Sequence, residues 1–209
     1  MMGIIRGVSV AATLVSVILL AGCAFGTRQP TLIYPPKSEP SETSVAHAAA
    51  IPTPKHVQII LKPFVDQRSN KNVVGTVRNG FGMRTADVIP TNSVDEWVTQ
   101  AVTAELKNDG YTVFNGAPGD NSAGPSAVVS GEVLNVFCDM YLSYTGQVSV
   151  ITRVTKDGKE FLNKHYAGEG SAGLAFAGTA ESYSQSLALA LSSVIKQFVS
   201  DLDKSLSVE

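Results

Sequence analysis

Cysteine is nearly missing from this chain: Cys23 and Cys138 are the only two in 209 residues. A disulfide-stapled scaffold is thereby excluded, and a fold of this length has to rest on an apolar core. Histidine is as scarce. His47, His56 and His165 stand far apart, and no run brings His, Cys, Asp and Glu together at the spacing of a metal site. Basic charge is dispersed, 16 Lys and Arg against 18 Asp and Glu for a net −2, so the clustered positive face of a nucleic-acid binder is lacking. No metal, cofactor or nucleic acid is expected, and no catalytic constellation is visible.

Long apolar runs are also missing, with one exception. Val8 to Ala21 is apolar or weakly polar, with Arg6 the only charge ahead of it. At about 14 residues it is shorter than the roughly 20 a helix needs to span a bilayer. A positive start, a short apolar stretch and small residues at its end make residues 1–22 a secretory signal peptide, removed before Cys23.

The next segment, 24–55, contains Pro35, Pro36, Pro40, Pro52 and Pro54 among Ser, Thr and Ala, without helical or strand period. With Cys23 it reads as a flexible tether. A chain of this length has a typical end-to-end distance of roughly 30 Å and a stretched reach of roughly 100 Å. A short strand at Thr31 to Tyr34, docked on the folded domain, is the alternative.

Residues 56–209 form a single domain. A strand is expected from His56 to Val65, with Val57, Ile59 and Leu61 on one face and Ile60 and Phe64 on the other. A ragged strand or hairpin comes after it, over 73–89. Ser93 and Glu96 have capping-box spacing, and Val94, Trp97, Val98, Ala101, Val102 and Leu106 recur with helical period up to Gly110. Trp97 on this stripe is core. Strands at "YTVF", 127–138, 143–155 and Glu160 to Ala167 come next, the last two joined by an Asp157–Gly158 turn. A helix from Thr179 to Leu206 closes the chain. Two amphipathic helices and a meander predict an α+β fold: a two-layer sandwich of a mainly antiparallel sheet with both helices on one face.

Leu20, Ala21, Gly22 and Cys23 spell LAGC, which resembles the lipobox of bacterial lipoproteins. In that family the Cys sulfur, the one good nucleophile of the stretch, takes a diacylglyceryl group and becomes the acylated N-terminus. With LAGC, "VDQRS" at 65–69, "VTAELKNDGYTV" at 102–113 and a Ser- and Leu-rich final helix, the chain resembles the YajG family of lipoproteins. A looser similarity is to accessory lipoproteins of envelope transport systems. The resemblance implies a cell-envelope lipoprotein, lipid-attached at Cys23, with no established enzymatic activity. Ala24, not Asp, comes after the Cys, which in such lipoproteins implies the outer membrane, facing the periplasm; a surface-exposed or single-membrane setting stays open.

The functional expectation is a non-enzymatic binding, scaffold or accessory module, with the membrane as one partner through the anchor and an envelope protein or a second copy as the other. Asp66 and Arg68, at a strand end, are the candidate polar contacts. Phe81 and Met83 with Phe176 are the candidate apolar contacts if exposed, and core if tucked under the sheet edge. The alternative is a small-molecule or lipid carrier, or a cryptic hydrolase near Ser171 and His165. "GEGSAG" at 168–173 fits GxGxxG but lacks the surrounding parallel unit, so it reads as a flexible glycine-rich connection. Cys138, in "EVLNVFCDM", reads as a buried core residue.

Overall fold

The computed structural model describes residues 26–34, 54–116, 126–175 and 178–207. In chain order the elements are β1 (Gln58–Leu61), β2 (Val65–Asp66), β3 (Gly75–Arg78), β4 (Arg84–Val88), α1 (Val94–Asn108), β5 (Thr112–Asn115), β6 (Ser126–Met140), β7 (Ser143–Lys156), β8 (Lys159–Leu174) and α2 (Ala180–Ser207).

β6 organises the sheet. Ala127, Val129 and Val133 point to the core; an irregularity after Val133 then resets the alternation so that Val136, Cys138 and Met140 face the same way. One edge of β6 takes β7, and β7 takes β8, both antiparallel. The turn between them places Asp157 at φ 51° and Gly158 at φ 77°, the left-handed pair that a tight hairpin of twisted strands requires. The other edge of β6 is shared end to end by β1, β2 and β3, all parallel to it. β5 extends β1 in parallel, and β4 extends β3 antiparallel.

The expected flat two-layer sandwich does not form. The sheet is mixed and curls into a half-barrel, with two helices and α+β character retained. Strands as long as β6, β7 and β8 accumulate right-handed twist, and that twist bends the sheet. The parallel pairs need a crossover, which α1 supplies between β1 and β5. The expected strand from His56 to Val65 is split into β1 and β2, and "GEGSAG" lies inside β8.

The helices fit their stripes. Val94, Trp97, Val98, Ala101, Val102 and Leu106 of α1 are buried, and with Leu187, Leu191, Val194, Ile195, Phe198 and Leu202 of α2 they join one core cluster. α1 ends as expected. Gly110 takes φ 90°, its N–H reaches Lys107 O and the Tyr111 N–H reaches Leu106 O, a Schellman closure. Its start differs from expectation: Ser93 occupies the N-cap without a side-chain cap bond, because its hydroxyl turns to Asp95 while Glu96 accepts from Gln100. Among the described residues no helix is long and apolar enough to cross a membrane.

Candidate functional site

Part of the segment expected to be tether is fastened to the domain. Arg28 bridges Val88 in parallel, its N–H donating to Asp87 O at 3.0 Å and its carbonyl accepting from the Ile89 N–H at 2.8 Å. The Arg28 guanidinium also donates to Gly178 O, just ahead of α2. Leu32 is buried; its N–H donates to the Asn92 side chain at 2.8 Å, and the Asn92 amide returns a bond to Leu32 O at 3.1 Å. The Ser184 hydroxyl on α2 donates to Thr31 O at 2.8 Å, and the Tyr34 hydroxyl donates to Glu105 on α1. This strap ties β4, α1 and α2 together. Arg28 and Asn92, which make most of these bonds, carry no sequence signal of docking.

The parallel bridge also fixes a direction. At the bridge the chain runs in the same direction as β4, so Thr27 enters it from the side of the β3–β4 hairpin tip. At that tip Phe81 is 87% exposed and Met83 59%. The tip is braced: Asn79 Oδ1 accepts from the Phe81 and Met83 N–H groups, both at 3.0 Å, and the Gly82 N–H donates to Asn79 O at 2.9 Å. Arg78 spans its base, donating to Gly82 O at 3.0 Å and to Asp139 at 2.7 Å.

Two neighbouring tips lie beside it. A Cβ built on Gly82 would come within 3.1 Å of the Tyr141 ring, in the β6–β7 turn. Leu174, at the end of β8, is opposite Ser143, and the Ala175 N–H donates to Leu142 O at 3.0 Å. Tyr141, Leu142 and Leu174 are 51%, 71% and 67% exposed. The end of the half-barrel therefore shows five large apolar side chains, from two turns and the end of β8. Phe81, Met83 and Leu174 stand in apolar stretches of the sequence; Tyr141 and Leu142 sit between two strand patterns with no turn dipeptide to mark them. Phe176 lies outside the described residues, as does Cys23.

Asp66 and Arg68 occupy one wall of a groove of about 440 Å³, with Lys71, Asn72, Asn92, Ser93 and Asp95 around it. Arg68 is 6% exposed and pairs with Asp66 through Nε at 3.0 Å and Nη2 at 2.9 Å. Its remaining donors reach Lys71 O at 2.8 Å and Val73 O at 3.1 Å, folding the loop after β2 back on itself. Burial on its own would raise the Asp66 carboxyl, but the hydrogen bonds and charge of Arg68 outweigh it and hold Asp66 below its ordinary value. The pair closes its own loop, and the exposed Lys71 and Asn72 form the accessible rim of the groove.

Cys138 is fully buried, and burial pushes its thiol up to about 12, so it stays protonated at neutral pH. His165 and Ser171 are exposed on β8, six positions apart on one strand, which separates them by roughly 20 Å and precludes a proton relay. Gly168 and Gly170 are not a connection at all: α2 lies against them, with Ala190 O and Ser186 O where their Cβ atoms would be. Lys55 joins Asp109 and Asp203 at the far end of the helices; burial would lower its value, but the two carboxylates outweigh that and raise it. Among the described residues no group of His, Cys, Asp and Glu is placed to hold a metal ion.

A family model described as an uncharacterised lipoprotein matches residues 48–204, and the chain belongs to that family. The membership agrees with the YajG-like resemblance read from the sequence. The sequence matches no curated protein. Among solved structures, protein XCC0632 from Xanthomonas campestris aligns with TM-score 0.57 at 11% identity, over 87% of this chain and 97% of its own. A protein described only as uncharacterised aligns with TM-score 0.50 at 10% identity, over 73% of this chain and 95% of its own. These two share the fold. The hypothetical protein CT253 from Chlamydia trachomatis aligns with TM-score 0.47 at 10% identity, over 73% of this chain and 99% of its own.

Proposed function

From this membership in a lipoprotein family, we propose that the protein is an outer-membrane lipoprotein acylated on Cys23 and facing the periplasm. Its domain is a non-enzymatic binding or accessory module for another protein of the cell envelope. The observation that carries this reading is the strap. Arg28, Thr31 and Tyr34 tie the chain next to Cys23 to β4, α2 and α1, so the domain is presented in a set orientation instead of swinging on a free tether. An enzyme or carrier that meets diffusing molecules gains nothing from a set orientation, whereas a module that docks with a neighbour in the same envelope does. LAGC and the adjoining Ala24 support the anchor and the outer membrane. The groove bounded by Asp66, Arg68, Lys71 and Asn72 is the surface assigned to the partner.

Two measurements test this. Cys23→Ser is expected to abolish incorporation of labelled palmitate and move the protein out of the membrane fraction; continued labelling removes the anchor. A photo-crosslinking residue at Lys71 or Asn72 is expected to capture one recurring envelope protein in cells. Absence of any recurring adduct at both positions removes the partner reading of the groove.

A further inference from the structure

The geometry points to lipid at the other exposed surface: the three tips bearing Phe81, Met83, Tyr141, Leu142 and Leu174 seat the domain in the headgroup layer of the membrane that holds its anchor. This rests on the reading of Cys23 as the lipid attachment site. Cys23 precedes Arg28 by five residues, so it lies within about 18 Å of that fastened residue however the chain runs. Because Arg28 bridges Val88 in parallel with β4, the chain enters that bridge from the hairpin-tip side. A domain held this closely brings the tips to the bilayer surface, within the 5–10 Å depth at which apolar side chains of peripheral proteins sit, approximately.

The chemistry of the tips fits that layer. Leaving a Phe or Leu in water forgoes roughly 2 kcal/mol per side chain relative to burying it. This protein leaves five large apolar side chains out at one end, and the turn that carries Phe81 and Met83 is held by Asn79 and Arg78. Tyr141 offers the aromatic body and polar hydroxyl that suit a membrane–water boundary. Flanking charge is already compensated: Arg78 pairs with Asp139, and Arg84 with Asp87. Gly82 beside Tyr141, and Leu142 bonded to Ala175, join these residues into one uneven apolar edge to which a deformable lipid layer conforms.

The test uses the full mature acylated protein, purified from membranes and reconstituted in vesicles of phosphatidylethanolamine and phosphatidylglycerol carrying nitroxide lipids. Single labels are placed at Phe81→Cys, at Leu142→Cys and, as reference, at Lys159→Cys in the exposed turn at the opposite end of β7 and β8; buried Cys138 does not label. Quenching by the nitroxide lipids is expected to be about threefold stronger at positions 81 and 142 than at 159. Equal quenching at all three, in protein that floats with the vesicles, overturns the seating and leaves the anchor intact. Shielding from aqueous iodide that grows with the protein-to-lipid ratio, without nitroxide quenching, assigns the tips to a second copy and also overturns it. Protein that fails to float overturns the Cys23 anchor, and the seating falls with it.

Discussion

Gly80 and Gly170 both stand in glycine-rich runs, yet a Cβ built on Gly80 meets nothing within 4 Å, whereas one on Gly170 meets the Ala190 backbone N at 2.4 Å and Ser186 O at 2.5 Å. The same residue type marks opposite situations. On β8, glycine removes the layer of side chains that would separate α2 from the sheet, so helix backbone rests on strand backbone. At the β3–β4 tip, glycine lets the chain turn, Gly82 taking φ 81°, and the side chains beside it are thrust into solvent. The face under α2 is closed by contact, and the tip is left open by the geometry of the turn. A glycine-rich string takes its meaning from what lies against it.

The largest effect is expected where the contact is closest. Gly170→Val forces α2 off the sheet and costs about 3 kcal/mol, read as a drop in the denaturant midpoint, whereas Gly80→Ala stays within about 0.5 kcal/mol of wild type. Equal effects at the two positions break the comparison. The next effect comes from the polar contact in the same strip. The Ser186 hydroxyl lies 2.8 Å from Gly170 O and 3.2 Å from Tyr144 O, donating to one at a time. Ser186→Ala leaves a buried carbonyl without its donor and is expected to cost about 1.5 kcal/mol by the same measurement.

Much of the packed region is legible in the sequence because it obeys one period at a time. The α1 stripe from Val94 to Leu106, the Gly110 stop, the alternation of Val129 and Val133, and the Asp157–Gly158 turn each come from local rules. The open region and the curl are not legible, for a shared reason: both depend on which distant segments become neighbours. Alternation in β6 shows that Val129 faces inward, but not that β1, β2 and β3 line up in parallel along one edge of it. The exposed tips form one surface only because hairpin 79–83 ends beside Tyr141, a proximity no spacing encodes. Ser93 and Glu96 fail as a capping box for a local cause: Asp95 and Gln100 take up their side chains first.

Acid separates the two regions more gently. Burial would raise the Asp139 carboxyl, but its bonds with Arg78 and Thr76 outweigh that and hold it low. A lowered folded value means that its stabilisation is present above the unfolded value near pH 3.9, roughly, and is lost as pH falls through the folded value. The side chain is 43% exposed, so screening by solvent keeps the contribution below about 1 kcal/mol. Hydrogen-exchange protection across residues 75–88 is expected to fall a few-fold, roughly, between pH 7 and pH 3, and to fall less in the strip under α2, where acid weakens the exposed Asp201–Lys164 pair. Parallel loss in both regions would show that the tip is no less firmly held than the strip.

The smallest effect on stability is expected at the most exposed apolar residue. Phe81 is 87% exposed, so Phe81→Ser removes almost no buried surface and shifts the unfolding free energy by less than about 0.5 kcal/mol. Asn79 still accepts from the backbone of residues 81 and 83, so the turn keeps its shape. A destabilisation above about 2 kcal/mol would reveal a core role for Phe81 and remove the contrast with Gly170. An unchanged unfolding midpoint, paired with a lower quenching of a label at Leu142 by nitroxide lipids, would place the work of Phe81 at the membrane surface.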